Sequence, residues 1–239
     1  MYIDFFSQIV YNYCEYTKRI NLMKTAIIFD LDGTILDTLE DLYLSVNQTM
    51  RHFGFPERTR DEVRSFVGNG VPKLIERSLP KGTAISDFER ALEYFKKYYD
   101  THCLDNTRPY ENITDALRKL KDKGYLVGVM TNKVHSAATL LCEQHFSGVT
   151  DMVLGQTDSF PTKPDPAALF FMRREMGADK VIYVGDSEVD IQTAKNAGVP
   201  CVSVSWGFKD REFLLSHGAE IVADTVSDMI NYIYEISKN

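Results

Sequence analysis

Asp30 and Asp32, separated by one residue, close a short apolar run, Thr25 to Phe29, and lead into Gly33-Thr34. Polar residues close later apolar runs in the same way. Thr131, Asn132 and Lys133 follow Leu126 to Met130, and Gly185, Asp186, Ser187 and then Asp190 follow Val181 to Val184. Lys163 stands in Lys163-Pro164-Asp165-Pro166, a loop that two prolines restrict. If the runs are neighbouring parallel strands, these groups meet at one edge, because ligands of an open parallel sheet bind beyond the carboxyl ends of its strands. Such a set suits a phosphoryl group. Asp30 and Asp186 are hard oxygen ligands of the kind Mg²⁺ takes together with phosphate and water. Carboxylates alone would repel a phosphate dianion, whereas Mg²⁺ and Lys163 neutralise that repulsion and Thr131 can donate to a non-bridging oxygen, with Asn132 beside it. Asp30 can then attack phosphorus to form an aspartyl phosphate, and Asp32 can carry the proton to the leaving oxygen and from water.

Blander readings fit single residues but not the set. Asp-x-Asp-Gly also opens calcium loops, yet counting from Asp30 the sixth position is Ile35 rather than glycine and the twelfth is Asp41 rather than glutamate. Asp186 and Ser187 alone could cap a helix, Lys163 alone could be a solvated surface lysine, and Thr131 alone could end a strand. Gly68 and Gly70 follow a helical stretch rather than a strand, and the third position of a dinucleotide loop is Lys73.

The elements that must hold these residues follow from the pattern. Short apolar runs at Thr25 to Phe29, Leu126 to Met130, Met152 to Leu154, Val181 to Val184 and Cys201 to Val204 read as strands buried on both faces. Helical patterns at 114–123, 136–144, 166–176 and 190–196 lie between them, which implies a parallel sheet covered on both faces. Few strand candidates interrupt residues 39–104. Hydroxyl residues precede carboxylates by three positions at Thr38 with Asp41, Thr59 with Glu62 and Ser86 with Glu89, the capping-box spacing. The pattern therefore predicts an α/β core of residues 23–38 and 105–239, interrupted by an all-helical cap at 39–104. Residues 1–22 carry an apolar stripe from Phe5 to Ile20 at helical spacing and read as an amphipathic helix, with Met23 an alternative start.

Composition narrows the function. The 239 residues carry a formal charge of −7 and are 44% hydrophobic, enough for a sizeable core and a poor match to a phosphate backbone, so nucleic acid is not the expected partner. The four cysteines form no C-x-x-C pair, which suggests free thiols in a reducing compartment rather than a zinc or disulfide scaffold. No apolar stretch reaches the roughly 18 residues that cross a bilayer, so a cytoplasmic location and no membrane partner are expected.

Phe29-Asp30-Leu-Asp32-Gly33-Thr34-Ile-Leu-Asp37-Thr38, Val129-Met130-Thr131-Asn132, Lys163-Pro164 and Gly185-Asp186-Ser187-x-x-Asp190 together resemble the four ordered motifs of the haloacid dehalogenase-like superfamily. Residues 67–79, with Gly68-Asn69-Gly70, are similar to the cap loop of its phosphoglycolate phosphatase-like members. The resemblance implies a Rossmann-like parallel sheet with a small helical cap and a hydrolase acting on a small phosphorylated metabolite. It further implies Asp30 as nucleophile and Asp32 as acid/base, with Thr131 and Lys163 on the phosphate. Mg²⁺ would be held by Asp30, the Asp32 backbone carbonyl and Asp186, and Asp190 would be a supporting carboxylate. Asp32 argues against the dehalogenase branch.

Substrate choice rests on the cap. Acidic and basic residues are equal in number across 39–104, so local cations must attract an anion. Arg64, Lys73 and Arg77 surround the Gly68-Asn69-Gly70 turn and are candidates to pair with a carboxylate such as that of 2-phosphoglycolate. A sugar-phosphate mutase or pyrophosphatase would share the same motifs. A phospho-aspartate signalling receiver would leave the cap unexplained.

Overall fold

The computed structural model describes residues 23–238; the N-terminal amphipathic stripe falls outside them. The chain begins with β1 (Thr25–Phe29) and β2 (Leu36–Asp37), then runs through helices α1 (Leu39–Phe53), α2 (Arg60–Phe66), α3 (Val71–Ser78) and α4 (Ile85–His102). It returns through β3 (Arg108–Pro109) and α5 (Ile113–Asp122), followed by β4 (Leu126–Val134), α6 (His135–Phe146), β5 (Met152–Gln156) and α7 (Ala167–Glu175). The remaining elements are β6 (Lys180–Gly185), α8 (Glu188–Ala197), β7 (Cys201–Val204), α9 (Arg211–Ser216), β8 (Val222–Ala223) and α10 (Val226–Ser237).

Six strands form a parallel sheet in the order β5-β4-β1-β6-β7-β8. β1 lies in its middle. Ile27 and Phe29 face a core shared with α5, α6 and α10, while Ala26 and Ile28 face a second core shared with α7 and α8. Burial on both faces is why this strand reads as an unbroken apolar run. The strand order reverses at β1, which pairs with β4 on one side and β6 on the other, and such a reversal opens a crevice at the carboxyl ends. Register fixes what meets there: Phe29 is level with Val129 and with Val184, so Asp30, Thr131 and Asp186 emerge at nearly the same height. β4 runs four residues past the expected Met130, with a register shift against β5 between Met130 and Val134. Thr131, Asn132 and Lys133 thus sit on an irregular extension of the strand, the kind of break that re-aims side chains beside a site.

The four helices α1–α4 enclose their own core, built on Leu42, Val46, Met50, Val63, Ile75 and Phe95. The expected Thr59–Glu62 capping box is present at α2. The other two are not. Ser86 lies inside the first turn of α4, whose N-cap is Ala84, and Thr38 makes no side-chain cap bond to α1. Asp41 has a different partner, the chain returning from the cap. Its buried carboxylate accepts from the Asn106 and Thr107 backbone N–H groups, at 2.9 and 2.8 Å, and from the Asn106 amide and Thr107 hydroxyl. Next to this junction β2 and β3 pair antiparallel, joining the outgoing and returning segments. No helix among the described residues is long and apolar enough to cross a membrane.

The Asp41 network predicts a stability effect at the cap junction. Removing a buried carboxylate that satisfies several donors leaves those donors unpaired, so Asp41→Ala should cost about 2–4 kcal/mol in urea unfolding. A loss below about 0.5 kcal/mol, the range of ordinary surface substitutions, would mean that this carboxylate does not hold the junction.

Candidate active site

Asp30 directly follows β1, and its backbone N–H still donates to the Val184 carbonyl, so the residue is fixed as an extension of the sheet. Its Oδ1 accepts from Lys163 Nζ at 2.9 Å and from the Leu31 N–H at 2.7 Å. Lys163 is shared: Nζ also donates to Asp190 Oδ1 at 2.7 Å and to the Tyr183 hydroxyl at 3.2 Å. Asp190, in the first turn of α8, is fully buried, and its Oδ2 accepts from the Ser187 N–H and hydroxyl at 3.1 and 2.6 Å. Its oxygens are thereby committed to aiming Lys163 and capping α8. One oxygen each of Asp30, Asp186 and Asp190 lies within 4.8 Å of the others.

Asp186 is held from the opposite side. Its Oδ2 accepts from the Phe208 N–H at 2.7 Å and its Oδ1 from the Thr34 hydroxyl at 3.3 Å. Glycine is required around it. A side chain on Gly33, which has φ of +82°, or on Gly207 would run into the Asp186 carboxylate well inside contact distance. The loop after β7 therefore belongs to the site. Gly207 and Phe208 follow the Cys201 to Val204 run in sequence, so their place beyond a strand end is the signal that marks them.

The remaining expected residues converge on the same edge. Asp32 faces Lys133, whose Nζ lies 3.0 and 3.2 Å from its two carboxylate oxygens. Thr131 is buried beside them and its hydroxyl accepts from the Lys133 N–H at 3.3 Å. Asn132 braces the catalytic edge: its Oδ1 accepts from the Lys163 N–H at 2.8 Å, and its amide donates to the carbonyls of Lys163 and of Gly68 in the cap. Lys133 had no assigned partner in the sequence, and Tyr99, whose hydroxyl accepts from Lys133 Nζ at 2.7 Å, reads there only as one position of the α4 apolar stripe. Tyr183 likewise passes for a strand residue.

The charges are unbalanced. Burial pushes the Asp30 carboxyl up to about 7; Lys163 opposes the shift and Asp190 adds to it. Burial also raises Asp186 well above the usual carboxylate range, reinforced by the charges of Asp190 and Asp30. Burial alone would lower Lys163, but Asp190 and Asp30 outweigh it and hold the ammonium firmly charged. One lysine among three buried carboxylates leaves excess negative charge where burial limits its solvation. An all-oxygen donor set of this kind fits a hard divalent cation.

Cap and core close over a narrow cavity of about 40 Å³. Since one water needs about 10–15 Å³ on this scale, it admits only a few water molecules. The core wall includes Asp30, Asp32, Thr131, Lys133 and Asp186, and the cap wall Leu42, Val67, Gly70, Val71 and Leu74, with Phe208 and Lys209 between them. The three cap cations expected near a substrate do not line it. Arg64 crosses to the core, donating to the carbonyls of Phe208 and Gly207 at 3.0 and 2.7 Å. Lys73 pairs with Glu76 at 2.6 Å on the exposed side of α3, and Arg77 donates to the Phe66 carbonyl at 2.8 Å. The reason is helical: Leu74 lines the cavity from α3, and Lys73 and Arg77, four residues apart, share a different face. The cations that do line it are Lys133 and Lys209, both from the core.

A family model described as haloacid dehalogenase-like hydrolase matches residues 27–204. A phosphoglycolate phosphatase of Pseudomonas syringae pv. tomato is 33% identical over 213 residues, which is 85% of this chain and 78% of that protein. A phosphoglycolate phosphatase of Vibrio parahaemolyticus is 32% identical over 219 residues, covering 87% of this chain and 95% of its own. A crystal structure from Lactobacillus delbrueckii subsp. bulgaricus, provisionally named a phosphoglycolate phosphatase, superposes with a TM-score of 0.84 at 33% identity and covers 89% of this chain and 99% of its own. With the family match running from β1 through the cap and the sheet to β7, the chain belongs to the haloacid dehalogenase-like hydrolase family.

Proposed function

We propose that the protein is a Mg²⁺-dependent phosphomonoesterase of the cytoplasm that hydrolyses a small anionic phosphomonoester, 2-phosphoglycolate foremost. The observation that carries the reading is the pairing of Asp30 with Lys163 beneath a cavity that Asp32, Thr131 and Asp186 also line. Asp30 attacks phosphorus, the bond to the leaving oxygen breaks, and Asp32 gives that oxygen a proton. Water then attacks the aspartyl phosphate while Asp32 takes its proton, and Asp30 is regenerated. Thr131 and Lys163 bind the phosphoryl oxygens, and Asn132 keeps the Lys163 backbone in place. Asp30, Asp186 and the Asp32 backbone carbonyl would hold Mg²⁺, which supplies the positive charge that a phosphate dianion needs beside these carboxylates. Asp190 supports Lys163.

The names of the relatives at about one-third identity support phosphoglycolate as the substrate. Lys209 is the cation placed for its carboxylate, because two of its three donors remain after the contact to the Ser65 carbonyl at 3.1 Å. Arg64 is the next candidate, reaching the chamber if it releases Gly207 and Phe208. The free thiols of Cys103, Cys142 and Cys201 suit the reducing cytoplasm.

Phosphate release from 2-phosphoglycolate, sugar phosphates, nucleoside monophosphates and pyrophosphate, with Mg²⁺ and with chelator, tests the reading. We expect Mg²⁺-dependent release with the highest kcat/KM for 2-phosphoglycolate, lost by at least about 1,000-fold in Asp30→Asn. Release from none of these substrates, or full activity in Asp30→Asn, would remove the proposal.

The raised carboxylates carry a stability prediction for the metal-free protein. A carboxyl whose folded-state pKa lies above the unfolded value of about 4 favours the fold below that pH, and this contribution is lost as pH rises, for Asp30 through about 7. Asp186→Asn should therefore raise the Tm of metal-free protein by several degrees at pH 8 and by less at pH 5. Added Mg²⁺ should raise the Tm of the wild type and have little effect on the variant. Thermal melts in which the variant is no more stable at pH 8 would contradict the charge imbalance.

A further inference from the structure

The two aspartates of the Asp30-Leu31-Asp32 segment are served by two different lysines. Lys163 binds Asp30 and is anchored inside the core by Asp190 and Tyr183. Lys133 binds Asp32 and is anchored by Tyr99, which belongs to α4 of the cap. The Lys133 side chain is only 3% exposed, and a buried ammonium is tolerated only when its donors are matched. Here all three are: two reach the Asp32 oxygens and the third the Tyr99 hydroxyl at 2.7 Å. Among the described residues Asp32 has no other side-chain hydrogen bond, so Lys133 alone sets the direction of its carboxyl in the cavity. Tyr99 is itself fixed by burial in the cap core, stacked on Phe95 with ring centroids 5.5 Å apart.

We propose that Lys133 is a positioning residue for proton transfer by Asp32, and that Tyr99 makes this arrangement depend on the closed cap. The inference rests on the phosphomonoesterase reading above. When Asp32 is protonated, one oxygen still accepts from Lys133 and the other, now carrying the proton, faces the leaving group, where the substrate's own oxygens can take up the Lys133 donor that is freed. From there Asp32 passes its proton to the bridging oxygen as the phosphorus–oxygen bond breaks, and later takes one from the attacking water. With the cap lifted, Tyr99 leaves with α4, Lys133 loses one of its partners, and Asp32 is no longer held in register. Proton transfer to the leaving group is thereby confined to the closed state, in which bulk water is excluded.

The test compares leaving groups. Acetyl phosphate expels acetate without needing a proton, whereas an alkyl phosphate such as 2-phosphoglycolate, or the best alkyl substrate of the panel, needs one. The readout is the ratio of kcat/KM for the alkyl phosphate to that for acetyl phosphate. Positioned proton transfer contributes typically 10²–10⁴-fold, so Lys133→Met should lower this ratio by at least about 10-fold, and Asp32→Asn should lower it at least as far. Tyr99→Phe, which keeps the ring in the cap core, should lower it in the same direction by a few fold. Combining Lys133→Met with Asp32→Asn should lower it no further than Asp32→Asn alone, because residues acting as one unit are not additive. An unchanged ratio in both single variants, or full additivity in the double variant, overturns the proposal, because a merely structural lysine would depress both substrates alike. If Lys133→Met does not fold by circular dichroism, Tyr99→Phe decides the matter through the same ratio. A wild type that releases phosphate from neither substrate removes the phosphomonoesterase reading and this inference with it, whereas an active wild type with flat variant ratios removes the inference alone.

Discussion

The arrangement depends on one constraint: three carboxylates, Asp30, Asp186 and Asp190, are gathered in a buried place with a single lysine between them. Left alone such a cluster would protonate or come apart. It persists because the surrounding structure over-determines it. Asp30 is an extension of the central strand, Asp190 is locked into the first turn of α8, and Asp186 is gripped by the Phe208 N–H and the Thr34 hydroxyl. Gly33 and Gly207 allow two loops to close on Asp186 where any side chain would displace it. The sheet register does the rest, since Phe29, Val129 and Val184 are level and deliver their following residues to one edge.

The cap is inserted at the point where the chain leaves this edge, so a helical unit had to be joined to the sheet without loosening the site. Two kinds of contact do so. At the base, the β2–β3 pair and the buried Asp41 carboxylate, which four donors satisfy, join the outgoing and returning chain. Over the cavity, Arg64 reaches two backbone carbonyls of the core and Lys209 one of the cap, in partly exposed surroundings. Contacts of the second kind are the weaker, because they are nearer to solvent and each side chain can regain hydration when it lets go. A cavity that admits a few waters cannot exchange a substrate unless these upper contacts break while the base holds.

Much of the site was legible in the sequence, for a physical reason. Strands buried on both faces are continuous apolar runs, so the first polar residues after each run mark the strand end, where a parallel sheet puts its ligands. Asp30, Thr131 and Asp186 stand where that logic puts them, and Asp32, Lys163 and Asp190 join them from the loops and the helix that follow. What was not legible is the identity of partners. Thr38 with Asp41 has the spacing of a capping box, yet Asp41 binds residues 65 and 66 positions away, a choice that only tertiary structure makes. Arg64, Lys73 and Arg77 have the right charge beside the right turn, but charge does not say which way a helix face points. The two-residue strand β8 and the short helix α9 carry too few residues to show a period.

Two carboxylates only two residues apart would ordinarily share one environment and behave alike. Here they do not, and the difference lies in their lysines. Lys163 is held by Asp190 and Tyr183, both rooted in the sheet and α8, so the charged partner of Asp30 is fixed by the core alone. Lys133 is held across the cavity by a tyrosine of the cap, so the surroundings of Asp32 are complete only when the cap is down. The partner of Asp30 is fixed within the core, whereas that of Asp32 is completed by a residue of the cap. That division follows the topology: the chain leaves the sheet just after both aspartates, Tyr99 belongs to the last helix of the insertion, and Tyr183 and Asp190 lie beyond it in the core.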